Sequence, residues 1–110
     1  YIGARALLDR DQPPTAIVVA RDGYAEGVCK AAQEKQLVIG RDLSVIGYDD
    51  LTWPLKPDYL TTFAHPGIEL GRAAAEMILE WVLTGHQPAN RQIEAPLIMR
   101  RSIAPAPTSL

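Results

Sequence analysis

The sequence predicts an α/β fold with a parallel sheet and flanking helices, and three observations carry that expectation. Residues 15–20 read TAIVVA, a β-branched apolar run without alternation, which is the pattern of a parallel strand buried on both faces. Residues 23–36 follow, with Ala25, Val28, Cys29 and Ala32 falling on one side of a helix. Residues 43–49 read LSVIGYD, a second apolar run. Strand, helix and strand in that order make a βαβ unit, whose crossover is expected to be right-handed.

The other elements can be read in turn. Residues 2–9, IGARALLD, space Ile2, Ala6, Leu7 and Leu8 as the tail of a helix, and Pro13-Pro14 ends it. Asp22 stands where a helix starting at Gly23 needs an N-cap. Lys30 and Lys35 lie toward the far end of that helix, where positive charge suits its dipole. Gly40-Arg41-Asp42 turns the chain into the second strand. LTWPLKPD is expected to be irregular, because Pro54 and Pro57 block regular structure. TTFAH, residues 61–65, is a short β-like run. Pro66 at a first helical position and Gly85 past the end bracket a helix over 66–84. Its apolar stripe is Ile68, Gly71, Ala75, Ile78, Leu79 and Val82, and Arg72 is spaced to pair with Glu76. RQIEAPLIMRRSI reads as two short strands separated by Ala95-Pro96, and APAPTSL as a solvated tail.

Composition narrows the function classes. At 110 residues the chain is about one domain long, and 47% hydrophobic with 22% charged residues argues against wholesale disorder. A net charge of −2, from 11 basic and 13 acidic residues, gives no basic footprint for nucleic acid within these residues. One cysteine, Cys29, leaves no internal disulfide framework and suits a reducing compartment. It sits among apolar residues as a small core filler. No apolar run approaches a membrane-spanning length. The start has neither a signal-peptide pattern nor an initiator methionine, as expected of a piece of a longer protein or of a processed one. No Gly-rich phosphate loop, G-x-S-x-G or Cys/His metal spacing appears, so no cofactor is expected.

Ligands in open α/β sheets bind beyond the carboxyl ends of the strands. The first strand ends at Arg21-Asp22 and the second at Asp49-Asp50, two like charges that need water, a cation or a hydroxyl-rich partner. Asp49 reads as a binding residue, since a strand-end carboxylate accepts two hydrogen bonds from vicinal hydroxyls. Asp50 divides evenly between binding and a structural turn bond. Asp22 reads first as a helix cap and second as a ligand contact. Arg21 stays open between an ion pair with Asp49, a fork for an acidic or hydroxylated ligand, and a solvated surface residue. Trp53 either stacks on a sugar or lies at a subunit contact, the second being favoured. His65 is an ordinary cap or a neutral imidazole facing a cleft. A minority reading puts Asp49, Asp50 and His65 around a divalent cation.

PTAIVVARDGYAEGV, DLSVIGYDD, LTTFAHPGIELGRAAAEMIL and APLIMRRSIAP, in this order and spacing, resemble the LacI/GalR family of bacterial transcription regulators over nearly the whole chain. The stretch corresponds to about the last third of a typical member, without the helix-turn-helix domain and the first half of the effector-binding core. The resemblance implies part of a type I periplasmic-binding-protein-like core, two α/β lobes around a ligand cleft. Residues 1–60 would belong to the C-terminal lobe. Residues 61–96 would supply a hinge crossing and a helix of the N-terminal lobe, residues 97–104 a return strand, and residues 105–110 a tail. Carried over, Asp49 matches the aspartate that hydrogen-bonds the effector, and His65 stands where members often have a glutamine or histidine near the cleft. Arg21 replaces an asparagine frequent before the family aspartate, here Asp22, a departure that points to an acidic or phosphorylated ligand. Helix 23–36 and the loop around Trp53 lie where members make subunit contacts.

What the resemblance implies for function is a cytoplasmic, non-enzymatic regulator. Its partners would be a small-molecule effector (sugar, phosphosugar or nucleoside), a second copy in a homodimer, and operator DNA through a domain absent from this chain, with no membrane. Two alternatives stand beside it: a periplasmic sugar-binding protein of a transporter, and a metal-dependent hydrolase using Asp49 and Asp50.

Overall fold

The computed structural model describes residues 1–51 and 58–106. Helix α1 (Ile2–Leu8) precedes β1 (Ala16–Val18), α2 (Ala25–Glu34) and β2 (Ser44–Asp49), and β3 (Thr61–Ala64), α3 (Gly67–Thr84) and β4 (Leu97–Ile98) follow. Among the described residues the strands form one sheet in the order β1-β2-β3-β4. β1, β2 and β3 are parallel, with Ala16 opposite Ser44 and Ile46 opposite Thr61. β4 runs antiparallel to β3, with Phe63 opposite Leu97. The chain divides into two compact units, one of Tyr1–Ala64 with Leu97–Leu110, the other of His65–Pro96.

The first unit has the core. α2 buries Ala25, Val28, Ala31 and Ala32, and these meet Ile17, Leu43, Val45 and Leu60 of the sheet region with Ala4 and Leu8 of α1. Alanines on the buried face let α2 approach the sheet closely, while its Cys29 is only half-buried. Two expectations are corrected here. β1 spans three residues rather than six, and it is covered on one face only: Ile17 is buried while Val18 is 72% exposed. A strand with a single apolar neighbour layer alternates in burial whatever its composition. α1 forms where expected, but its buried face is Ala4 and Leu8, one turn apart, whereas Ile2 is 84% exposed.

The turn at 40–42 forms as read. Gly40 has φ of 78°, and a Cβ there would run into the Arg101 carbonyl, so this position needs glycine on both counts. The Asp42 carboxylate accepts the Val38 N–H at 2.8 Å and is bridged by Arg41 at 2.7 Å. Of the return strand expected over 97–104, only Leu97–Ile98 is strand. Ser102 fixes the remainder. Its hydroxyl donates to the Val45 carbonyl at 2.6 Å and accepts the Thr61 N–H at 2.8 Å, while its own carbonyl accepts the Val45 N–H at 2.8 Å. One buried serine thus stitches the starts of β2 and β3 to the chain end.

In the second unit, Pro66 is the cap of α3 rather than its first helical residue, and Gly85 ends the helix at φ 71° with its N–H on the Trp81 carbonyl. Beyond Gly85 the chain turns back, and Arg91 bonds Glu76 at 2.7 Å and approaches Glu80 at 3.7 Å. The expected Arg72–Glu76 pair gives way to this longer-range one. Residues 91–96 form no strand, because within this unit no extended backbone among the described residues lies alongside to accept the ladder. No residue of α3 is buried, and Ile68, Ile78 and Val82 are 78%, 61% and 76% exposed. The apolar stripe is therefore real but uncovered by the unit itself. A hollow of about 260 Å³ runs along it between Met77, Ile78, Trp81, Pro88 and Asn90.

Candidate functional site

Parallel pairing of β1 and β2 brings their carboxyl ends side by side, and the next residues of each chain segment meet there. Arg21 Nε donates to Asp49 Oδ2 at 3.1 Å, with the arginine side chain 64% exposed and the carboxylate 19%. Of the readings open to Arg21, the structure shows the ion pair with Asp49, made by an arginine that is otherwise exposed. The pair uses one carboxylate oxygen and one N–H, so the second oxygen and the terminal guanidinium nitrogens keep hydrogen-bonding capacity for something else.

Asp50, the neighbouring carboxylate, turns away to a different cation. Arg100 Nη2 lies 2.7 Å from Asp50 Oδ1, and Arg100 Nη1 donates to the Leu60 carbonyl at 3.0 Å. Two like charges in sequence are thus separated by giving each its own arginine. The backbone makes this splay possible: Asp49 has φ of 112° and Asp50 φ of 57°. Aspartate enters the left-handed region more readily than most residues, and such conformations cost on the order of 1–3 kcal/mol and cluster at ligand sites.

Asp22 corrects its first reading. It opens a short 3-10 turn, Asp22–Tyr24, that leads into α2, yet its side chain makes no capping bond there. Instead the carboxylate is 1% exposed and points across the sheet. Oδ1 accepts the Thr62 hydroxyl at 2.6 Å, and Oδ2 accepts the Leu51 N–H at 2.8 Å. Gly47 lies directly beneath, where a Cβ would collide with Asp22 Oδ1 and with Leu60. One buried carboxylate therefore ties the end of β1 to β3 and to the residue just past Asp50. It braces the rim from behind.

Tyr48 and Phe63 face each other across β2 and β3, ring centroids 6.4 Å apart and tilted by 31°. A depression of about 220 Å³ lined by Arg21, Gly23, Tyr24 and Leu51 adjoins the ion pair. Ligand sites are typically somewhat larger, about 300–1,000 Å³. Of the other residues singled out from sequence, Trp53 lies outside the described residues, as does most of LTWPLKPD. His65 opens the second unit, where its carbonyl accepts the Gly67 N–H at 2.9 Å at the entry to α3. Asp49 and Asp50 face separate arginines, and among the described residues no three His, Cys, Asp or Glu side chains gather as a metal site. Arg100 and the Tyr48–Phe63 pair were not singled out from sequence. Arg100 sits in a run, MRRSI, that reads as ordinary strand, and only the β2–β3–β4 register reveals it.

Among the described residues no helix is long and apolar enough to cross a membrane. Residues 2–103 match the description of the periplasmic binding protein-like domain. The chain is 38% identical over 104 residues to the HTH-type transcriptional repressor CytR of Escherichia coli strain K12, covering 92% of this chain and 30% of that protein. The chain thus spans under a third of the length of this relative. Among solved structures, a LacI family transcriptional regulator from Bifidobacterium animalis subsp. lactis superposes with TM-score 0.83 at 29% identity, covering 96% of this chain and 40% of that one. A LacI family regulator from Enterococcus faecium, solved with bound ribose, gives TM-score 0.72 at 27% identity, covering 94% and 39%. With its mixed sheet of three parallel strands and one antiparallel, its charged rim at the strand ends and a match over residues 2–103, the chain belongs to the periplasmic binding protein-like domain family, in the form found in LacI-family regulators.

Proposed function

We propose that the chain is the effector-binding and dimerisation part of a bacterial LacI-type DNA-binding transcription regulator that senses a small molecule, a sugar or a derivative of one. The observation that carries this reading is the Arg21–Asp49 pair at the carboxyl ends of β1 and β2, held there by a buried brace at Asp22. A carboxylate that is partly exposed, fixed at one oxygen and placed on a strained backbone is suited to accept hydroxyl hydrogen bonds from a ligand. The similarity to a repressor and to a regulator with bound ribose supports the same assignment.

On this reading the parent protein is cytoplasmic and not an enzyme, dimerises, and binds operator DNA through a domain outside these residues. Residues 61–96 carry the hinge crossing and a helix of the second lobe. The effector acts by binding two hinge states unequally, with a coupling of roughly 1–3 kcal/mol. Asp49→Ala in the full-length protein is expected to abolish the effector response of operator binding in a gel-shift titration while circular dichroism stays unchanged. Calorimetry showing undiminished effector binding by that variant would remove Asp49 from the site.

A further inference from the structure

We infer that Arg21, through its ion pair with Asp49, is a specificity-determining residue that makes this rim select a neutral, hydroxyl-rich effector over the phosphorylated form of the same compound. The inference rests on the effector-binding reading above and adds to it the charge class of the ligand. It also reverses what the departure of Arg21 from the resembled family pattern suggests, an acidic or phosphorylated ligand.

The charges around the rim decide the matter. Arg21 is bonded to Asp49 and Arg100 lies against Asp50, so each guanidinium already faces a carboxylate. Asp22 adds a third carboxylate, buried beside Arg21 and bonded only to neutral donors, the Thr62 hydroxyl and the Leu51 N–H. Two cations, each facing an aspartate, leave no positive excess to meet a phosphate. An anion drawn to the terminal nitrogens of Arg21 would come close to the Asp49 carboxylate, and like charges at such range repel. It would have to break the pair to bind. A hydroxyl meets no such penalty. It donates to the remaining oxygen of Asp49 and accepts from a terminal N–H of Arg21, and two vicinal hydroxyls can do both at once.

The test uses the full-length protein and three matched pairs of probes: D-ribose, D-glucose and cytidine, each beside its phosphomonoester. Thermal shift and calorimetry give the affinity for each member, for the wild type and for two variants. Asp49→Asn keeps the side-chain size and a residue type that tolerates the left-handed region, so the fold is retained while Arg21 loses its counter-charge. Arg21→Gln removes the cation.

The wild type is expected to bind a neutral member at least tenfold more tightly than its phosphomonoester. Asp49→Asn is expected to shift that ratio toward the phosphomonoester by about tenfold or more. Arg21→Gln weakens the neutral ligand and creates no affinity for the anion. A wild type that prefers a phosphomonoester, and loses it in Arg21→Gln, overturns the inference and makes Arg21 an anion anchor. A neutral preference left unchanged by both substitutions overturns it too, while leaving the effector reading in place. Failure of the wild type to bind any probe counts against both together.

Discussion

At the scale of single residues, buried polar groups decide more of this structure than their number suggests. Asp22 satisfies one hydroxyl and one N–H in a place without water access, and deleting its carboxylate leaves both donors stranded. Each such loss costs about 1–3 kcal/mol, so Asp22→Ala is expected to lower stability by about 3 kcal/mol in a urea titration. Asp22→Asn should cost clearly less, because an amide keeps an acceptor for the Leu51 N–H and can donate to the Thr62 hydroxyl. Gly47→Ala should cost at least as much as Asp22→Ala, since its methyl would displace that carboxylate. Asp42 gives a pH-dependent counterpart. Bonded to Arg41 and to the Val38 N–H, its carboxyl is held down to about 2, against about 3.9 in an unfolded chain. As acid is added, the unfolded chain takes up this proton first. The stabilisation is complete above about pH 4 and is lost as pH falls toward about 2. Asp42→Asn should therefore flatten the stability curve over that interval and lower its level near neutrality, where the wild type has the full contribution.

At the scale of elements, what the sequence disclosed depended on how local the cause was. The βαβ order was legible because TAIVVA, an amphipathic helix and LSVIGYD announce themselves without knowledge of neighbours. Which face of α1 is buried was not, since Ile2 and Leu8 are equally apolar and only the position of α2 selects Leu8. The short strand expected over 91–94 failed for a related reason: strand pattern is visible in a sequence, but a pairing partner is not. The rim was half legible. Asp49 with Arg21 followed from strands ending together, whereas the bracing of Asp22 by Thr62 joins residues 40 positions apart and leaves no local signature. Between α1 and α2, the Tyr1 hydroxyl and Arg5 hold the Glu34 carboxyl below its usual range, and Lys35 does the same for Asp9. Both contributions are present near neutrality and fade as acid protonates the carboxylates. Because these groups are solvated, added salt should weaken them. At the other end of the sheet, Ser102→Ala removes two hydrogen bonds to buried backbone, of Thr61 and Val45. A loss of about 2–3 kcal/mol is expected, visible as an earlier urea midpoint.

At the scale of the whole molecule, α3 carries Ile68, Ile78 and Val82 open to solvent. Contiguous apolar surface of this kind drives association. The 110 residues produced alone are expected to self-associate, and light scattering should show species heavier than one chain. A monodisperse monomer would sink that expectation, and substituting Ile78 and Val82 by glutamine should reduce the association where it occurs.

The pairing of Phe63 with Leu97 has a bearing on how the gene for such a chain can be cut. Residues 65–96 leave the first unit and rejoin it at adjacent strands, so the two ends of this long excursion are only a ladder spacing of about 5 Å apart. In topological terms the excursion is a hairpin loop that happens to contain a helix. A two-residue Asn-Gly turn spans the same gap. Phe63 joined to Leu97, its partner in the ladder, through such a turn should give a shorter chain that keeps the sheet, the rim and the braced carboxylate. Retention of the strand signals and of the Arg21–Asp49 pair by nuclear magnetic resonance would verify it. The segment between would then behave as a cassette, replaceable without rewriting the platform that holds it.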